Sequence, residues 1–140
     1  HIIFSTKDRQ RWLDKNIRSR VHAYLATLAR NNGCPFVVVG GVEDHVHILA
    51  DLGKQVKPVE MVRHIKQESS KFIKTLGTGY NRFYWQQGYG MFSVGPMRTE
   101  DVKKYIDRQA EHHQHQTFQE EFRAFLDHYR IEYDEKYIWE

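Results

Sequence analysis

The sequence predicts an α+β domain of the ferredoxin-like, split βαβ kind: an antiparallel sheet with helices against one face, plus further helices at the C-terminal end. Three observations predict it. Segments of two-residue and 3.6-residue periodicity alternate in the order β-α-β-β-α-β and are followed by two more helical segments. A chain of 140 residues, 40% hydrophobic and 28% charged, has the size and composition of one globular unit, so residues 1–140 are read as a single domain. The longest apolar stretch, Phe36 to Val39, is far short of a bilayer span, so no membrane segment is expected.

His1 to Thr6 is a β-branched and aromatic run that reads as the first strand. Leu13, Ile17, Val21, Tyr24 and Leu28 recur at steps of three and four, giving one face of a helix that ends near Asn31-Asn32-Gly33. Phe36 to Val39 and Val46 to Leu52 flank Gly40-Gly41-Val42-Glu43-Asp44 and are read as two strands of an antiparallel hairpin. Pro58 suits the first turn of a second helix, whose stripe is Val62, Ile65, Ser69, Phe72 or Ile73, and Leu76, closed by Gly77 and Gly79. The opposite face of that helix carries Arg63, Lys66, Ser70 and Lys74. The aromatic stretch Tyr80 to Val94 reads as further strand broken by glycines and ended by Gly95-Pro96. Thr99 is expected to cap a third helix with a buried stripe of Val102, Ile106 and Ala110. Thr117 and Glu120 have capping-box spacing ahead of Phe118, Phe122, Phe125, Leu126 and Tyr129, a fourth helix with an aromatic tail ending in Trp139.

Twenty-one Lys and Arg against eighteen Asp and Glu leave a net charge of +3, compatible with a polyanionic partner. The single Cys34 cannot form an intramolecular disulfide, and a cytoplasmic location is expected. The chain opens on His1 rather than Met, so preceding residues are expected.

Chemistry is concentrated in two places. Residues i and i+2 of a strand point to the same side, so His45 and His47 project together from backbone positions about 7 Å apart and can reach one metal ion. Nine histidines in a chain of this length give ~0.6 His-x-His triplets by chance, so two hydrogen-bonded or solvated residues on the open face of a sheet remain the alternative. Tyr105 and Gln109 are neighbours on one helical face, which His112 continues one turn on. A phenol titrates near pH 10 and needs a cation or base beside it to act as a nucleophile at neutral pH. Tyr105 can otherwise be read as an edge residue of the core beside Val102 and Ile106.

Four blocks, in order, resemble the single-tyrosine HUH transposases of the insertion-sequence, IS200-like type, related to the tyrosine transposases associated with repetitive palindromes. They are His1-Ile2-Ile3-Phe4-Ser5-Thr6-Lys7, Gly41-Val42-Glu43-Asp44-His45-Val46-His47-Ile48-Leu49, Trp85-Gln86-Gln87-Gly88-Tyr89-Gly90-Met91-Phe92-Ser93-Val94, and Tyr105-Ile106-Asp107-Arg108-Gln109-Ala110-Glu111-His112-His113. The resemblance implies that His45, His47 and Gln109 hold a divalent ion, magnesium or manganese, and that Tyr105 attacks DNA. It further implies cutting and rejoining of single-stranded DNA at hairpin-bearing ends through a 5′-phosphotyrosine intermediate, by a homodimer in which Gly95-Pro96 can act as a hinge. Arg63, Lys66 and Lys74 are the candidates for tracking phosphates, and Trp85, with Tyr84, Tyr89 and Phe92, for stacking on unpaired bases. Two other readings stand beside this one. One is a noncatalytic module binding single-stranded nucleic acid on its sheet; the other is a small phosphodiester hydrolase using the His pair to activate water.

Overall fold

Residues 1–140 are described by a computed structural model. Strands β1 (Ile2–Ser5), β2 (Val37–Gly41), β3 (His45–Ala50) and β4 (Gly90–Met91) form one antiparallel sheet in the order β2-β3-β1-β4, the expected split βαβ arrangement. The helices are α1 (Arg18–Asn31), α2 (Pro58–Lys74), α3 (Thr99–Asp107), α4 (Gln109–His112) and α5 (Phe118–His128). None is long and apolar enough to cross a membrane.

The pleat sorts side chains into two cores. Ile2 and Phe4 of β1, Val37 of β2, and Val46 and Ile48 of β3 face one way. There they pack with Val21, Leu25 and Leu28 of α1 and Met61, Val62, Ile65 and Ile73 of α2. Ile3 faces the other way and joins Phe92 and the α5 residues Phe118, Phe122 and Leu126 in a second core. The short helices α3 and α4, separated only by Arg108, lie on this same side, α3 against β2 and β3 and α4 against β2. The helices α1 and α2 thus cover one face as expected, and the C-terminal helices cover the face that an open-sheet reading leaves bare.

Gly40 explains how closely they do so. It pairs with His47 in the β2–β3 register, and a Cβ there would lie 2.5 Å from Ile106 Cγ2 and 2.7 Å from its carbonyl oxygen. The sequence reads Gly40 as turn, but it is a strand residue that lets α3 lie directly on the sheet beside the His pair.

Other boundaries move for local reasons. Helix α1 begins only at Arg18: Leu13 and Ile17 are buried, but in an irregular segment where the Leu13 N–H donates to Glu43 O (2.9 Å) and Arg18 Nε to Leu13 O (2.9 Å). The stretch Tyr80 to Val94 yields only the two residues of β4 and one isolated bridge, Thr6 to Trp85. Here Gln86 replaces part of the ladder, its side-chain oxygen accepting from the Ser5 N–H at 2.7 Å. Thr99 is the first residue of α3 rather than its cap, whereas Thr117 and Glu120 form the expected reciprocal capping box at α5. Backbone at Arg108 (φ −99°, ψ 18°) breaks α3 from α4, so Gln109 rather than Ala110 follows Ile106 into the interior.

His22 on α1 has a buried Nε2 without a partner, and burial, helped by the nearby Arg18 charge, lowers it from 6.5 to about 4. Between those values the unfolded chain binds the proton and the folded one does not, so stability falls as pH drops from 6.5 towards 4. The one-proton limit is ~1.4 kcal/mol per pH unit, reduced here by partial exposure. Urea midpoints at pH 7 and pH 5 are expected to differ less in His22→Gln than in the parent chain; an equal difference would remove His22 as the cause.

Candidate metal and nucleophile site

His45 and His47 are both fully buried on β3, and their imidazoles meet side chains from α3, α4, α5 and the connection before α5. One oxygen of Glu121, Oε1, lies 3.3 Å from His45 Nε2, 2.9 Å from His47 Nε2 and 3.3 Å from His113 Nε2. The Gln109 carbonyl oxygen Oε1 lies 3.1 Å from His45 Nε2 and 3.0 Å from His113 Nε2. Tyr105 donates its hydroxyl proton to the other Glu121 oxygen, Oε2, which also accepts from Gln109 Nε2 at 3.3 Å. Tyr105, Gln109, His45 and His47 therefore meet within one chain.

The outer nitrogens fix the tautomers. His45 Nδ1 lies 2.7 Å from Asp44 Oδ1 and His113 Nδ1 2.6 Å from the Gln116 carbonyl, both of them acceptors, so each Nδ1 carries hydrogen. His47 Nδ1 is held by His1 Nε2 at 2.8 Å. The Nε2 atoms of His45 and His113 then face two oxygens, Glu121 Oε1 and Gln109 Oε1, that have no hydrogen to offer. Such a nest of lone pairs requires positive charge at its centre, either protons or a cation. A histidine whose Nδ1–H is held by a carboxylate or a carbonyl is the usual outer arrangement of a metal-ligating imidazole.

The spacing fits an ion. The four ligand atoms of His45, His47, His113 and Glu121 lie within 4.8 Å of one another. The contacts of 2.9 and 3.3 Å match the edges of a coordination polyhedron, about 3.0 Å for an octahedron and about 3.4 Å for a tetrahedron at a ligand distance of ~2.1 Å.

Protons answer the same need for positive charge. Burial lowers His45, but hydrogen bonds to Asp44 and Glu121, with their charges, carry it up to about 9. Burial prevails at His47 and lowers it to about 4, against the pull of Glu121. Glu121 would be raised by burial, yet hydrogen bonds from His113, His45 and His47 hold it far below the usual carboxylate range. Burial and the Glu121 charge push the Tyr105 phenol above its ordinary value. With carboxylate and imidazoles alone, Tyr105 is a held, protonated phenol; activation needs that negative charge offset.

The expected basic face of α2 lines a groove of about 640 Å³, whose walls include Arg63, Lys66, Lys74 and Trp85. Two of these are engaged in the fold. Lys66 Nζ donates to the carbonyls of Gln87 (3.0 Å) and Gly88 (2.8 Å), and burial lowers it to about 8. The Trp85 indole is buried, stacks edge-on against Phe4 and Phe83, and donates to Ser69 Oγ at 2.9 Å. Phe92 is likewise buried, while Tyr84 is 55% exposed with Lys74 Nζ 4.0 Å from its ring centroid.

Sequence reasoning did not find Asp44, His113 and Glu121. It extended the Tyr105 face to His112, whose ring does stack on Tyr105 at 4.4 Å, but it is His113 that reaches the cluster. A signal for Glu121 was present: it sits three residues after Phe118 and four before Phe125, a charge on the apolar stripe of its helix.

The family model for "Transposase IS200 like" matches residues 1–109. A solved structure assigned as a transposase from Deinococcus radiodurans R1 shares the fold with a TM-score of 0.60 at 21% identity, over 77% of this chain and 87% of that chain. No curated protein sequence matches.

Proposed function

The chain belongs to the IS200-like transposase family, and on that premise we propose that it is a single-tyrosine strand transferase that cuts and rejoins single-stranded DNA at hairpin-bearing ends. The observation that supports this most is the convergence of Tyr105 and Gln109 on the buried His45–His47 pair within one chain. A divalent ion held by His45, His47 and Gln109 would act as a Lewis acid towards a non-bridging phosphate oxygen.

The rest falls to the chain's own groups. The Glu121 carboxylate accepts the Tyr105 hydrogen bond and orients the phenol, whose proton passes to water as the new bond forms. The Tyr105 oxygen forms a bond to phosphorus as the bond to the 3′ oxygen breaks, and that oxygen leaves as a hydroxyl with a proton from water. The 5′-phosphotyrosine conserves the phosphodiester, so a new 3′-hydroxyl can displace Tyr105 and join different ends without a nucleotide cofactor. Arg63 and Lys74 offer phosphate contacts along the α2 groove, and Tyr84 offers a face for an unpaired base.

A noncatalytic module of this topology binds single strands on an exposed sheet face. Here that face lies beneath α3, α4 and α5. Incubation with hairpin-bearing single-stranded oligonucleotides and manganese is expected to give a covalent adduct that resists denaturation and maps to Tyr105. Cleavage without an adduct would establish a hydrolase instead, and binding without cleavage a recognition module.

A further inference from the structure

We propose that the metal centre is a three-histidine, one-glutamate site, completed by His113 and Glu121, that takes manganese or zinc in preference to magnesium, with Glu121 tying the ion to the nucleophile. The proposal rests on the preceding reading of Tyr105 as nucleophile but assigns two residues beyond the matched residues 1–109. They come from α5 and the segment before it, and they do not touch the sheet through packing alone.

Geometry carries the assignment. Glu121 Oε1 is the one atom within 3.3 Å of all three Nε2 atoms, His45, His47 and His113. Glu121 is 1% exposed, on a helix whose other inward residues, Phe118, Phe122 and Leu126, are apolar. A buried carboxylate at such a position is strongly destabilising unless it is fully paired. Its pairing is complete only with the imidazoles and Tyr105: Oε1 faces the nitrogens and Oε2 accepts from Tyr105 and Gln109 Nε2. One carboxylate thus has one oxygen among the three imidazole nitrogens and the other on the Tyr105 hydroxyl, and would tie an ion held there to the nucleophile.

Donor chemistry sets the preference. Magnesium demands oxygen ligands and near-ideal octahedral geometry, and it sheds water reluctantly. Three imidazoles and one carboxylate, with the Gln109 oxygen beside them, form a nitrogen-rich set suited to zinc, manganese and their neighbours.

Titration of the metal-free full chain with manganese, zinc and magnesium salts, followed by calorimetry and by the spin-resonance signal of free manganese, tests this without reference to activity. Manganese is expected to bind at least ~100-fold more tightly than magnesium. Glu121→Gln and His113→Gln are each expected to weaken manganese binding at least ~10-fold, while Tyr105→Phe leaves it within about twofold. His113, on a connection, keeps the test informative should Glu121→Gln unfold the chain, which circular dichroism reports. Magnesium binding as tightly as manganese, or parent-like manganese affinity in His113→Gln, would overturn the proposal. Failure of the strand-transfer reading looks different: tight manganese binding with no covalent adduct.

Discussion

Tyr105→Phe is expected to lower single-turnover strand cleavage and covalent adduct formation by ~10⁴-fold or more, with the thermal midpoint nearly unchanged. The substitution removes one oxygen. The ring contacts survive: Tyr105 stacks on His112 at 4.4 Å and meets Phe125 and His47 edge-on at 5.9 Å each. Loss of the hydrogen bond to Glu121 costs about 1 kcal/mol, and Glu121 Oε2 keeps its bond from Gln109 Nε2. Folding is therefore barely affected. Chemistry is affected fully, because His45, His47, Gln109, His113 and Glu121 offer no other hydroxyl to attack phosphorus. A structural tyrosine would behave in the opposite way, with cleavage falling less than tenfold, and that result would remove Tyr105 from the mechanism.

How far the sequence could be read is clear from particular residues. The strand order and the shared orientation of His45 and His47 follow from two-residue periodicity, and the register Ile3 to His47 and Gly40 to His47 leaves no alternative face for them. Gln109 follows from its place one turn after Tyr105. Glu121 and His113 do not emerge this way. Reading α5 for its apolar stripe passes over the one acid within it, because periodicity registers where apolar residues fall and not which polar residue falls among them. His113 depends on the turn at Arg108, whose φ and ψ of −99° and 18° decide whether residue 112 or 113 reaches the cluster. The aromatic run from Tyr80 to Val94 misleads for a related reason. Trp85 and Phe83 have strand-like propensity, yet they fill the core from irregular backbone, and Gln86 supplies the bond to β1 that a ladder residue would have made.

Gly40→Ala carries the second large expected effect, and it bears on the link between the two halves of the site. The new Cβ would fall 2.5 Å from Ile106 Cγ2 and 2.7 Å from the Ile106 carbonyl oxygen. The side-chain methyl can rotate away, but the carbonyl belongs to α3 and moves only with the helix. Ile106 adjoins Tyr105 and lies three residues before Gln109, so any lift of α3 from β2 carries both away from His45 and His47. Overpacking of this kind costs ~1–3 kcal/mol, which a domain of this size tolerates. A displacement of ~1 Å at reacting groups costs ~10²-fold in rate. Gly40→Ala is thus expected to fold, to keep the proposed metal ligands on β3 and α5, and to lose about a hundredfold in adduct formation. Ile106→Ala added to Gly40→Ala relieves only the methyl contact, so it is expected to leave the defect largely in place, because the carbonyl contact persists. Full recovery of adduct formation in that double variant would show that side-chain crowding, not the seating of α3 on the sheet, sets the position of Tyr105.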